Sequence, residues 1–273
     1  MNNQTENAPV DSQKNVRRKT NSVGKAIAVL ESFTPQHPML SLTQLSTMLN
    51  VPKTTLVSTL HVLEEYGYVY KVAGTKNYHL GFKVMELSYN VQSTLSIIQY
   101  ALPLMESLQM QTNEIIYLTS HINGRVFYLE CVYPSRRAIT YSVSGKTLPM
   151  HCTGCGKAML AYLPESTVRE TIAQWGLPAS TTNTITDENL LLSELQAIRE
   201  RGYSIDNEEE SYNVRCIAMP VCDPSGHAVG AVSISGSKVS MTDDAIIRYS
   251  EPLATMCNAL SQHSQLFPAT ILK

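Results

Sequence analysis

The sequence contains no run of eighteen or more apolar residues, which excludes a membrane-spanning helix as a reading of any stretch. Its first twenty residues, MNNQTENAPVDSQKNVRRKT, lack the apolar core of a secretory signal, so a cytoplasmic location is expected. Also missing are a phosphate-cradling P-loop, a dinucleotide-binding glycine fingerprint and the two-histidine helix of zinc proteases. No internal repeat and no low-complexity tract occurs. His151 stands beside Cys152, but adjacent residues rarely face one another, so a Cys–His dyad is a poor reading. The acidic run Glu208-Glu209-Glu210 reads as a solvated or cap-forming stretch rather than a catalytic pair. An enzyme is therefore not expected, and no cofactor is implied.

What is present points elsewhere. The 273 residues are 43% hydrophobic, enough for two domains with real cores. Net charge is −2, but its distribution is uneven. Residues 1–83 carry nine Lys/Arg against five Asp/Glu, a net of +4, and the remainder carries −6. A basic front suits a polyanion and an acidic back does not. Arg17, Arg18 and Lys19 form a small basic arm over residues 1–21, expected to be disordered; a solvated tail and a contact to phosphates fit it equally. Six cysteines without a secretory signal read as reduced thiols.

Helical periodicity begins at Ser22, where Val23, Ile27 and Leu30 form one face with Ala26 and Phe33 beside it. Pro35 and Pro38 stop this helix. Ser41 and Gln44 have capping-box spacing for a second helix with Leu42, Leu45, Met48 and Leu49 as its apolar face. After Asn50-Val51 a third helix is expected over 52–65, opened by Pro52 and closed by Gly67. Leu56, Leu60 and Leu63 make its inner stripe. Its outer side carries Lys53, Thr54, Thr55, Val57, Ser58 and His61, small or polar groups that can approach the major groove. Two helices, a short turn and a third helix, followed by a hairpin over 68–80, make a winged helix-turn-helix. Lys71 and Lys76 on the hairpin are placed for backbone phosphates. Val84, Leu87, Val91, Leu95 and Ile98 then approximate a coiled-coil seam on a linker helix, and Pro103 marks the start of a further helix. Such a seam pairs two chains or packs within one.

From Glu114 the period becomes strand-like. EIIYLTSHI and RVFYLECVY flank Asn123-Gly124 as a hairpin, with a third strand over 138–145. LPMHCTGCGKAMLAYL reads as a loop running into a helix, Pro164-Glu165 opens another through Trp175, and TITDENLLLSELQAIRERG is an amphipathic helix ending at Gly202; strands follow in YSID, RCIAMPVCD and HAVGAVSISG, and Thr242 caps a closing helix. Grouped rather than alternating elements predict an α+β domain on a mostly antiparallel sheet. The expected division is 22–82 for the winged helix, 83–100 for the linker, 101–265 for the α+β domain and 266–273 for a tail.

Three motifs accompany this order: LPMHCTGCGKAMLAYLP at 148–164, IRERGYSIDNEEE at 198–210 and RCIAMPVCDPSGHAVGAVSISG at 215–236. With the winged helix and linker, they resemble transcriptional regulators of the isocitrate lyase regulator (IclR) family over about 240 residues from Ser22 onward. The resemblance implies an N-terminal winged-helix DNA-binding domain, a C-terminal effector-binding domain of GAF-like topology, and a homodimer or dimer of dimers on operator DNA. It implies a small organic-acid effector held by Gly154, Cys155, Asp206, Cys216, Ser233 and Ser235. The residues agree with that: Thr153 to Lys157 run into a helix whose freed N–H groups suit a carboxylate, and Ser233 and Ser235 share a strand face. Repression of a catabolic operon is the first expectation, activation the second. Two departures stand out. The family usually has small residues where Cys152 and Cys155 stand, which with His151 opens a zinc or redox reading beside that of buried small thiols. It often has Arg where this chain has Ser58, so a bidentate guanine contact is missing there.

Overall fold

A computed structural model describes residues 21–135 and 143–268, and within these the chain divides between Thr94 and Leu95 into two compact units. The expected basic arm lies outside the described residues except for Asn21. In the first unit, α1 (Ser22–Glu31) is opened by the Asn21 side chain, which accepts from the Gly24 N–H at 2.6 Å. Its inner face is not the one expected. Val23 and Ile27 are exposed, while Ala28, Val29 and Phe33 are buried, with Ala26 and Leu30 against them. Ala26, Val29, Leu30 and Phe33 form an equally regular i, i+3, i+4, i+7 stripe, and only tertiary packing chooses between the two.

Strand β1 (Met39–Ser41) leads into α2 (Leu42–Leu49), whose capping box is formed as the spacing predicts: Gln44 Oε1 accepts from the Ser41 N–H at 2.9 Å. Leu45 and Leu49 are buried, but Met48 is exposed. Asn50 turns the chain in the left-handed conformation, φ 51°, which Asn tolerates better than most residues. Helix α3 (Lys53–Glu65) follows, with Pro52 just outside it as N-cap. Leu56, Leu60 and Leu63 are all buried on its inner side. Strands β2 (Val69–Lys71) and β3 (Asn77–Leu80) form the hairpin. β1 pairs with β3 as well, giving the order β1-β3-β2. That third strand is too short to announce itself by alternation.

The linker expected as one helix over 83–100 is two. α4 (Lys83–Thr94) buries none of its residues, and α5 (Ser96–Thr112) begins after a break at Leu95. The coiled-coil seam is thus interrupted: Leu95 and Ile98 pack on the second unit's core, while Leu87 and Val91 stay exposed. Pro103 does not start a helix but sits inside α5.

The second unit is built on a six-stranded antiparallel sheet of β4 (Ile115–Ile122), β5 (Arg125–Val132), β6 (Thr147–Pro149), β7 (Ser204–Asn207), β8 (Val214–Cys222) and β9 (Ala228–Ser237). Their order across the sheet is β6-β5-β4-β9-β8-β7. The strand expected over 138–145 falls mostly outside the described residues. Alternation sends Ile116, Leu118, Ile217, Met219, Val232 and Ile234 to one face, where α5 and α9 (Asp243–Ser261) cover them. Tyr128, Ala218 and Ala231 face the other way, toward α6 (Gly154–Leu160), α7 (Glu165–Trp175) and α8 (Glu188–Arg201). Phe267, within the stretch expected as a tail, is buried in the first of these cores.

Candidate functional site

On α3 the side opposite the leucine stripe is open. Lys53, Thr54, Val57, Ser58 and His61 are exposed and Thr55 half-buried; Val57 is 51% exposed although apolar. The Ser58 hydroxyl donates to the Thr55 carbonyl at 2.9 Å, and Thr59 to the same oxygen at 3.1 Å. Lys71 and Lys76 are exposed on the hairpin, where the Lys71 N–H donates to Glu64 Oε1 of α3 at 3.3 Å. That bond ties the hairpin to the end of the helix. The face is therefore small, polar and edged by lysines.

In the second unit, a cavity of about 580 Å³ opens between the sheet and the start of α6. Gly154, Cys155, Asp206, Cys216, Ser233 and Ser235 all line it. The register explains why: Cys216 lies opposite both Asp206 and Ser235, and Ala218 opposite Ser233, so these strands turn one face to the same space. Gly154 is required by close approach, since a Cβ there would stand 2.6 Å from Cys216 Sγ. The Ser204 hydroxyl donates to the Gly154 carbonyl at 2.5 Å and fixes α6 against β7.

Sequence reasoning missed much of the lining. Tyr117, opposite Ser233 on β4, meets Tyr128 edge-on with ring centroids 5.2 Å apart. Glu114, Lys146, Glu210, Asn213 and Ser240 complete the polar part. Alternation along β4 would place Tyr117 and Ile115 on one face, but only the pairing with β9 shows that this face meets Ser233. The acidic run is also corrected: Glu208 and Glu209 are buried, the first bonded to Lys238 and the second to Lys157.

Burial dominates the electrostatics. The Asp206 carboxyl is pushed up to about 7, chiefly by removal from water, against the N–H of Glu209 donating to its Oδ1 at 2.7 Å. Burial pushes the thiols of Cys155 and Cys216 up as well, and Cys152 to about 11. His151 is held neutral by burial and donates from Nε2 to the Pro178 carbonyl at 3.0 Å. Cys152 turns to Ser180 and Cys155 to the cavity, so the His-Cys-x-x-Cys motif is splayed. Among the described residues no three His, Cys, Asp or Glu side chains converge as metal ligands. A thiol kept protonated is a poor nucleophile and metal ligand.

Two family models match. The IclR helix-turn-helix domain covers residues 22–73, and the bacterial transcriptional regulator IclR C-terminal domain covers residues 89–262. The chain belongs to the IclR family. Among curated relatives, the transcriptional regulator XynR of Escherichia coli is 31% identical over 242 residues, covering 88% of this chain and 96% of that protein. The transcriptional repressor AllR of Escherichia coli is 30% identical over 231 residues, 83% of this chain and 84% of its own. The solved structure of the Thermotoga maritima IclR is 28% identical, with a TM-score of 0.67, covering 89% of this chain and 98% of that one. As an IclR-family protein the chain is a DNA-binding transcriptional regulator and not an enzyme. No helix among its described residues is long and apolar enough to cross a membrane.

Proposed function

We propose that this regulator represses a catabolic operon and releases it when a small monocarboxylate occupies the cavity of the second unit. The observation that carries this reading is the convergence of Gly154, Cys155, Asp206, Cys216, Ser233 and Ser235 on one polar cavity. Serine hydroxyls, and Asp206 in its protonated form, are donors for a carboxylate, and Lys146 is the one cation on the described lining. Glu114 and Glu210 on the same wall oppose further negative charge and accept from ligand hydroxyls. A hydroxylated acid with a single carboxylate fits that arrangement. The similarity to a repressor, AllR, supports the sign of regulation.

For DNA, the reading assigns base contacts to Lys53, Thr54, Thr55, Val57, Ser58 and His61 of α3, and phosphate contacts to Lys71 and Lys76. Exposed Val57 suits the methyl group of thymine. Two chains pair to read paired half-sites. Exposed Phe82, Met85, Leu87, Tyr89 and Val91 on and beside α4 support pairing there, over a shorter seam than the one expected. A ligand changes DNA occupancy only by binding one arrangement of the dimer more tightly than the other.

The test has two parts. A mobility shift on DNA upstream of the gene should be lost when Ser58 and His61 are changed together; no shift by the unaltered protein at low salt would sink the DNA reading. A thermal-shift screen of organic acids should give a stabilising hit that disappears in Ser233→Ala plus Ser235→Ala. A response unchanged in that double variant would send the ligand elsewhere.

A further inference from the structure

The winged-helix unit holds no arginine: the chain has none between Arg18 and Arg125. A bidentate arginine is the commonest reader of guanine in the major groove, so α3 has to recognise bases by other means. Lys53 opens the helix, and the exposed side chains after it on the outer side are Thr54, Val57, Ser58 and His61. Val57 has no polar side-chain atom and is 51% exposed, so covering it with an apolar group is favourable. Its neighbour Ser58 is exposed too, but the single proton of its hydroxyl is engaged inside the helix. It donates to the Thr55 carbonyl at 2.9 Å, an oxygen that also takes the Thr59 hydroxyl at 3.1 Å. What Ser58 Oγ presents outward is therefore lone pairs, an acceptor rather than a donor. The helix is held in its rotation by buried Leu56, Leu60 and Leu63, and at its end by the Lys71 N–H on Glu64 at 3.3 Å. An apolar contact and a hydrogen-bond acceptor thus stand side by side on its open face.

Base edges answer that combination unequally. In the major groove thymine carries a methyl group and adenine an amine hydrogen at N6; cytosine carries an amine, but a C·G pair has no methyl. A methyl and an amine together occur on an A·T pair alone. We propose that Val57 and Ser58 jointly read one A·T pair of the operator half-site, Val57 covering the thymine methyl and Ser58 Oγ accepting from adenine N6. This assignment rests on the placement of α3 in the major groove given above and adds the identity of a base pair to it. Lys53, Thr54 and His61 are left for the neighbouring pairs.

The experiment selects duplexes from a randomised pool with the full-length protein, then alters single groups in the selected sequence and measures binding by mobility shift. Uracil in place of each thymine removes the methyl, and purine in place of the adenine opposite removes the amine. At one A·T position of the half-site, uracil should weaken binding about fourfold and purine about fivefold. Val57→Ala should be indifferent to uracil there and still respond to purine; Ser58→Ala should show the reverse. A side chain that merely supports the helix would not make the protein blind to one group on the DNA. Circular-dichroism melts check that both variants fold, and the uracil and purine effects on the unaltered protein need no variant. Selection of G·C at every half-site position, altered duplexes bound as tightly as the natural one, or variants that keep both sensitivities would overturn the proposal. Selection of no sequence at all would remove the DNA reading with it, so the two failures are told apart.

Discussion

Replacing Asp206 by Asn should remove a pH dependence of stability whose size follows from the site. In the unfolded chain this carboxyl titrates near its ordinary 3.8, and in the cavity wall near 7. A carboxyl raised on folding binds a proton more tightly in the native state. Its contribution is fully present below the unfolded value and is lost as pH rises through the folded one. The interval is roughly three pH units at about 1.4 kcal/mol each, so about 4 kcal/mol is lost between pH 4 and pH 7. The amide of the Asp206→Asn variant cannot ionise, and its side-chain oxygen still accepts from the Glu209 N–H. The difference in unfolding free energy between variant and parent should therefore climb in favour of the variant across that window. Urea unfolding at a series of pH values measures it, followed by the fluorescence of Trp175, the only tryptophan and a residue of the same unit. Other carboxyls contribute to both proteins and cancel in the difference. A difference that stays flat from pH 4 to pH 7 would show that Asp206 is ionised throughout, and its role as a neutral donor would fall with it.

Other perturbations test other parts. Leu60→Ala, at the centre of the buried stripe of α3, should cost about 2–5 kcal/mol, while Val57→Ala should change stability by less than about 0.5 kcal/mol yet weaken operator binding; circular-dichroism melts and mobility shifts separate the two. Gly154→Ala should cost about 1–3 kcal/mol from overpacking against Cys216, and adding Cys216→Ala should recover most of it, as urea unfolding of the single and double variants would show. Lys71→Ala and Lys76→Ala should each reduce the slope of log affinity against log salt by about 0.9, without altering base preference, if both contact phosphates. Ser58→Arg should sharpen preference at one base position where a guanine can be placed, which selection from randomised operators would reveal.

Where a short-range rule had no rival, the elements could be read in advance. The Ser41/Gln44 capping box, the Leu56-Leu60-Leu63 stripe and the Asn123-Gly124 hairpin each depend on neighbours close in the chain. Misreadings came where two local rules were equally good. Helix α1 had two apolar stripes, and burial of Val29 rather than Val23 was chosen by the helices it packs on. Around Leu95 a heptad-like spacing continued through a real break, because Leu95 and Ile98 belong to a core that Leu87 and Val91 do not join. Periodicity reports that a face is apolar; it does not report which neighbour covers it.

The cavity shows the same division at the level of chemistry. The six residues implied by the family resemblance do meet, and the shared face of Ser233 and Ser235 followed from strand geometry alone. The residues that set the electrostatics could not be found that way. An acidic triplet beside a turn reads as surface, since three carboxylates in a row are costly to bury. Burial of Glu209 becomes tolerable only because Lys157, distant in sequence, is buried on α6 with its ammonium against it. Neither residue signals the other in the chain. Their meeting depends on α6 packing closely on β7 and β8, where Ser204 bonds the Gly154 carbonyl and a Cβ on Gly154 would press on Cys216 Sγ. Gly154 thus does two things at once: it lines the cavity, and it lets α6 come close enough for Lys157 to reach Glu209 on the turn after β7.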